Sequence, residues 1–354
     1  MKKALLLLAF PLLSTALWAQ QKEEAEKLVS EGIAWHDKGN YDEAIRKYDQ
    51  ALLLDKDNLL ALAEKAMSLV SLKKNEEALV LCQLAIEKHP GEEALSTVYV
   101  TYGNACDALG KTDKAIEAYD EGIKLFPDSY QLYFNKGITL AIDRKYDDAI
   151  GCFQKSALRN PSHASSHNAL ARLLNVNGKR IPSLLAYSRF LVVESETNRA
   201  KENLAAVQKI MKGNVEKKGE NSVSINISTD MLGAAAAGKP EENSFSTTDL
   251  LLTMDAGLDY DKKNKKKTEV EQFIRKFEAV CASLKEGRKD NYGFYWSYYV
   301  PYFVEMKDQG FIETFGYIIF STSGDAVNSN WLKAHQAEID RFYDWSATFA
   351  WKAN

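Results

Sequence analysis

Proline is scarce in this sequence, with seven in 354 residues, so little in the chain prevents long runs of helix. Cysteine is scarcer. Cys82, Cys106, Cys152 and Cys281 form no C-x-x-C pair, which removes zinc-ribbon and dithiol redox motifs. Five histidines include no H-E-x-x-H, and the one close pair, His163 and His167, has no third ligand at metal spacing. No G-x-S-x-G nucleophile elbow occurs. Asp255, Asp259 and Asp261 miss the spacing of a calcium loop. The expectation is therefore a protein with no catalytic residues, no metal and no cofactor. Charge of neither sign dominates: 45 basic residues face 49 acidic ones. That balance supplies no general attraction to nucleic acid or to an anionic membrane. After the first residues no apolar run is long enough to cross a bilayer.

The first residues do stand out. Met1-Lys2-Lys3 precedes an apolar run from Ala4 to Leu13, then Ser14 to Ala19 in front of Gln20. A basic start, a short apolar stretch and a small residue at its end read as a secretory signal over 1–19. The expectation is an exported protein, periplasmic or extracellular and soluble. Cys82 is the first cysteine, so no lipid anchor is expected at the cleavage point. Export permits disulfides. Cys82 and Cys106 fall at core positions of neighbouring units, either as two buried thiols or as a disulfide.

A period of 34 residues then governs the first half of the chain. Gly32-x-x-Trp35 and Ala44-x-x-x-Tyr48-x-x-Ala51 are followed by Ala66-x-x-Leu69 and Ala78-x-x-x-Cys82-x-x-Ala85, with Pro90 behind them. Gly103, Cys106, Ala115, Tyr119, Gly122 and Pro127 repeat the pattern, as do Gly137, Leu140, Ala149, Phe153, Ser156 and Pro161. A fainter copy holds Ala171, Leu174, Ser183, Tyr187 and Phe190. Fixed-period self-similarity means stacked supersecondary units. Each unit reads as two antiparallel helices, A and B. The small residues at the eighth and twentieth positions let A and B cross closely, the aromatic at the twenty-fourth fills the space to the next unit, and proline ends helix B.

This pattern resembles the tetratricopeptide repeat, over about residues 25–197. The resemblance implies an all-α chain, an α-solenoid of helix hairpins at 25–58, 59–92, 96–129, 130–163 and 164–197. Lys56 stands where the first repeat should have proline, Glu93 to Leu95 lengthen one turn, and Pro182 and Ser183 weaken the fifth repeat. A helix at 198–212, with Ala200, Leu204, Val207 and Ile210 on one stripe, reads as a cap. The family binds a protein or peptide segment in a groove lined by the A helices. Here that implies Met67, Val100, Asn104, Phe134, Asn135, Ile138, Asn168 and Arg172 as the partner-binding residues. One branch of the family clamps a C-terminal carboxylate with two Asn and three basic residues. Asn104 and Asn135 match the Asn positions, but the basic ones hold Val100, Ser165 and Ala169. Without cations a carboxylate is poorly held, so chaperone tails are not the expected partners. The organisation as a whole also resembles repeat proteins of Bacteroidetes-type cell envelopes.

Residues 213–245 read as a flexible linker with a short edge strand at 223–228. Gly233 to Lys239 imitates a phosphate loop, but Pro240 replaces the metal-binding Ser or Thr, so no nucleotide is expected. Residues 246–354 form an aromatic-rich, mainly helical domain. Ser246–Tyr260 is one helix, and Thr268-x-x-Glu271 is a capping box in front of a stripe that ends at Gly287. A last helix is expected from Trp331 to Phe349. Between these two helices, Lys262 to Lys267 form a basic run, either a solvated loop or a contact for a local anion or envelope surface. The aromatics from Phe294 to Tyr302 exceed what one helix face can bury, so they must also meet another element or a partner. The function expected is a non-enzymatic interaction scaffold of the cell envelope. The alternative is a C-terminal module that binds carbohydrate or peptidoglycan, or that is catalytic, delivered by the repeats.

Overall fold

Gly32, Gly103 and Gly122 explain how the hairpins close. In the computed structural model, a Cβ on Gly32 or Gly103 would fall inside contact distance of the Tyr48 or Tyr119 ring. One on Gly122 would lie 2.8 Å from Tyr99 Cβ. The small residues are therefore the places where helix A meets helix B; of the tyrosines facing them, Tyr48 and Tyr119 are fully buried and Tyr99 is buried. The structure describes residues 6–213, 215–219, 222–227, 232–233 and 241–352, with side chains from residue 19 onward. Residues 1–5 of the segment expected to be a secretory signal lie outside the described residues. So do residues 234–240 of the phosphate-loop imitation.

The chain divides into two compact units, residues 1–152 and 153–354. The first holds α1 (Leu6–His36), α2 (Tyr41–Leu54), α3 (Leu59–Ser71), α4 (Asn75–Lys88), α5 (Leu95–Ala108), α6 (Thr112–Leu125) and α7 (Tyr130–Ile142). Helix α8 (Tyr146–Arg159) carries the division within it. In the first unit the core runs through Leu62, Ala66, Leu69, Cys82, Val98, Tyr99, Cys106, Tyr119 and Leu132. Cys82 and Cys106 both lie in this core as free thiols. Burial pushes the Cys82 thiol up to about 12, so it stays protonated and unreactive at neutral pH. Lys65–Asp49 and Lys136–Asp120 are ion pairs at the same repeat positions, each joining helix A of one unit to helix B of the unit before.

The second unit continues with α9 (Ala164–Val176), α10 (Arg180–Val193) and α11 (Asn198–Lys212). A two-stranded antiparallel hairpin follows, β1 (Val215–Lys217) on β2 (Val223–Ile225), with Glu216 opposite Ser224. The sequence pattern foresaw one strand here; its partner in the pair is β1. Then come α12 (Ser246–Gly257), α13 (Glu269–Gly287), α14 (Phe294–Asp308), α15 (Ile312–Ile319), α16 (Ala326–Ala334) and α17 (Gln336–Thr348). Both halves of the capping box form: the Thr268 hydroxyl accepts from the Glu271 amide, and the Glu271 carboxylate accepts from the Thr268 amide. Thr268→Ala is expected to lower the unfolding free energy by about 1 kcal/mol, with Thr268→Ser close to wild type. Urea denaturation followed by tryptophan fluorescence measures both.

Three expectations need correcting. The final helix is two, broken at His335, whose backbone leaves the helical region (φ −119°, ψ 35°). No glycine or proline marks this break. The Trp331 indole lies between the Tyr317 and His335 rings, 4.2 and 4.1 Å away and nearly parallel to both, and His335 Nδ1 donates to the Trp331 carbonyl. The three stacked rings lie at the break. Helix α11 is also not a terminal cap. It packs on α10 on one side and against α12 and α13 on the other. Its end is capped by cations: Arg180 donates to the Ile210 carbonyl, and Lys276 to that of Met211 at 3.0 Å, where the helix dipole favours them. Finally, the compact units divide inside α8, although composition suggested a break at 213–245. The reason is that α14 is buried against the helices of residues 154–189, as described next.

Candidate functional site

In the first unit the A helices are α1, α3, α5 and α7. The ninth repeat position is the most open of their groove positions: Met67 is 38% exposed and Ile138 36%. At the fifth position Val29 and Ala63 are buried, whereas Val100 and Phe134 are half-buried. The groove thus has an apolar floor under two exposed apolar side chains. Polar locks join successive A helices beside it. Thr139 Oγ1 donates to Asp107 Oδ2 at 2.7 Å, and His36 Nδ1 bonds Ser68 Oγ at 2.7 Å, both pairs 32 residues apart. They set the spacing of the surface that a ligand would meet.

The two asparagines of the clamp pattern are engaged within their own repeats. Asn104 Oδ1 accepts from the Tyr119 hydroxyl at 2.7 Å, and Asn135 Nδ2 donates to the Gln131 carbonyl at 2.9 Å. In the second unit, α9 carries Asn168 and Arg172 at equivalent positions. Arg172 is exposed, while Asn168 is half-buried and its amide oxygen has no hydrogen-bond partner among the described residues.

Sequence reasoning missed the centre of the second unit. Arg189 is 3% exposed and has no carboxylate partner among the described residues. It donates to the Pro161 carbonyl and to Ser346 Oγ, and lies 4.8 Å from the Trp351 ring and 5.1 Å from that of Tyr302. Aromatic faces and a carbonyl dipole stand in for a counter-ion. Beside it, His167 is wholly buried. Its Nε2 must donate to the Pro161 carbonyl, 3.0 Å away, so Nδ1 accepts from the Tyr299 hydroxyl at 2.7 Å. Burial, with the Arg189 charge adding to it, lowers the His167 pKa to about 3. Helix α14 closes the arrangement: the Tyr295 hydroxyl accepts from Gln154 and the Tyr298 hydroxyl donates to the Ala157 carbonyl. The surplus aromatics of Phe294 to Tyr302 do meet another element, and it is the repeat helices of the same unit.

One signal for this was in the sequence. Helix α10 is buried from Ile181 to Val192 on every side, and its apolar residues are spread round the helix rather than confined to one stripe, with Ser183, Ser188 and Arg189 buried among them. That is why the fifth repeat looks weak: its helix B is covered on both faces. Two further motifs resolve as structural. Asp255 and Asp259 pair with Arg275, and Asp259 also with Lys276, as part of the buried framework. His163 Nδ1 bonds Ser166 Oγ. Among the described residues, no three His, Cys, Asp or Glu side chains come together to hold a metal ion. The tryptophans of the aromatic domain stack on the chain itself: Trp296 on Phe245 at 4.3 Å, Trp345 and Trp351 on Tyr302, and Trp331 between two rings.

Comparison with known proteins agrees with this geometry. Residues 33–147 match the family model described as the Psidin N-terminal TPR repeats region, and the helix hairpins there are TPR-like. The chain is 31% identical over 114 residues to the protein STIP1 homolog of Dictyostelium discoideum, 32% of this chain and 20% of that one. It is 24% identical over 197 residues to protein O-mannosyl-transferase TMTC1 of Homo sapiens, 54% of this chain and 22% of that one. The matches thus span about a fifth of these relatives' own lengths. Among solved structures, pilF of Pseudomonas aeruginosa aligns with 72% of this chain and 99% of its own, at 17% identity and a TM-score of 0.48.

Proposed function

We propose that the protein is a non-enzymatic interaction scaffold whose first unit holds an apolar or amphipathic partner segment along its A helices. The supporting observation is the pair Met67 and Ile138, apolar and exposed at the same repeat position, over the half-buried floor of Val100 and Phe134. Two exposed apolar residues at one structural position on a regularly spaced face suit a ligand with apolar anchors. Asn104 and Asn135 form the polar edge of this groove; in the second unit, taken by itself, Asn168 and Arg172 stand at the fifth and ninth repeat positions of α9. A cell-envelope setting follows only from the signal-like first residues and belongs to this reading. The transferase activity in the name of TMTC1 belongs to a protein of which this chain matches a fifth.

The test is affinity capture from an extract of the native cells, followed by titration of the captured partner's binding segment. Met67→Asp and Ile138→Asp both change exposed side chains and should leave folding intact. Each is expected to weaken binding roughly tenfold, as removal of an apolar anchor does. Binding of the same segment with wild-type affinity by both variants would show that the groove is not the site.

A further inference from the structure

The loop between α12 and α13 contains five lysines in six residues: Lys262, Lys263, Lys265, Lys266 and Lys267. The carboxylates nearest in sequence are committed elsewhere. Asp261 accepts from the backbone amides of Lys263 and Asn264 and from the Asn264 side chain. Glu271 is turned onto the Thr268 amide. Glu269 accepts from Gln208 and lies 3.6 Å from Lys212. Asp259 is held by Arg275 and Lys276. Among the described residues none of the five lysines has an ion-pair partner. The loop is nonetheless fixed in place. Asn264 at its centre is buried, and its carbonyl accepts from the Gln272 side chain.

A second observation lies immediately before the loop. Met254 is 57% exposed, Leu258 47% and Tyr260 41%. Met254 and Leu258 are four residues apart, so they share one face at the end of α12, and Tyr260 leads directly into the lysines. Large apolar side chains are unfavourable in water, and five like charges within six residues repel one another. An anionic bilayer accommodates both, taking apolar tips below the headgroups and cations among the phosphates. A soluble polyanion would satisfy the lysines but leave Met254, Leu258 and Tyr260 in water. We infer that this loop and the end of α12 dock the protein on the surface of an anionic phospholipid bilayer. The inference does not depend on what the repeats bind.

The test uses the full chain in co-sedimentation with vesicles of phosphatidylcholine alone, or of equal parts phosphatidylcholine and phosphatidylglycerol. The wild type is expected to sediment with the anionic vesicles only, and added salt is expected to release it. Each juxtamembrane lysine contributes about fivefold in partitioning, so Lys262→Ala/Lys265→Ala/Lys266→Ala should reduce it roughly a hundredfold. Met254→Ser/Tyr260→Ser should reduce it as well, with every lysine still present. Circular dichroism of each variant verifies the fold, and Lys266→Gln with a salt titration serves if the triple variant does not fold. Equal partitioning into neutral vesicles, undiminished binding by the lysine variants, undiminished binding by the Met254/Tyr260 variant, or binding to heparin without any to vesicles would each overturn the inference.

Discussion

Lowering the pH from 7.5 to 4.5 is expected to cost the second unit about 3 kcal/mol of stability through His167 alone. The unfolded imidazole titrates near 6.5 and the buried one near 3. Between those values the unfolded chain takes up a proton that the native state refuses. Stability is therefore fully present above about 6.5 and declines as pH falls toward 3. The cause is geometric. His167 already uses both nitrogens, Nε2 on the Pro161 carbonyl and Nδ1 on the Tyr299 hydroxyl, and a second cation would lie beside buried Arg189. His163 is also lowered by its burial and contributes with the same sign. Asp249, raised by burial, acts with the opposite sign at the acid end of the range. The informative quantity is thus the difference between wild type and His167→Gln, which keeps one donor and one acceptor but does not titrate. Urea denaturation at the two pH values measures it, with Trp296, Trp331, Trp345 and Trp351 reporting on this unit. Parallel pH dependences in the two proteins would show that His167 does not carry the effect.

His167 and Arg189 also mark where sequence reading stopped. The hairpins were legible because their determinants recur: Gly32 and Gly103 against Tyr48 and Tyr119 form the same contact twice in one register. The capping box was legible because it lies within four residues. The tyrosines of α14 were legible as a surplus, since a helix with aromatics on every side needs more than one neighbour. What they contact was not. The Tyr298 hydroxyl meets the Ala157 carbonyl across 141 residues, and Arg189 meets Ser346 across 157. Neither contact has a period or a motif. The groove residues stand between these extremes. Their places follow from the repeat, but their exposure does not: at the same fifth position Val29 and Ala63 are buried while Val100 and Phe134 are half-buried.

Gly103→Ala should be the clearest demonstration of how tightly a hairpin closes. Replacing glycine by alanine inside a helix ordinarily stabilises a protein by about 0.5–1 kcal/mol. Here the added methyl meets the Tyr119 ring. That ring is fully buried and its hydroxyl is tied to Asn104 Oδ1, so it cannot swing aside. Overpacking of this kind costs about 1–3 kcal/mol, and the expected outcome is a loss near the upper end. Gly151→Ala is the control. It is also helical, its Cβ would meet nothing within 4 Å, and a small gain is expected. The second repeat supplies the compensating pair, with Ala66 and Cys82 in place of glycine and tyrosine. Tyr119→Cys alone should destabilise by about 3 kcal/mol or more, because a large buried ring is lost. In the Gly103→Ala background it should cost less, since the clash leaves with the ring. A coupling of about 1–2 kcal/mol is expected from the double-mutant cycle. Strict additivity would mean that the contact between position 103 and the Tyr119 ring does not set the spacing of α5 and α6.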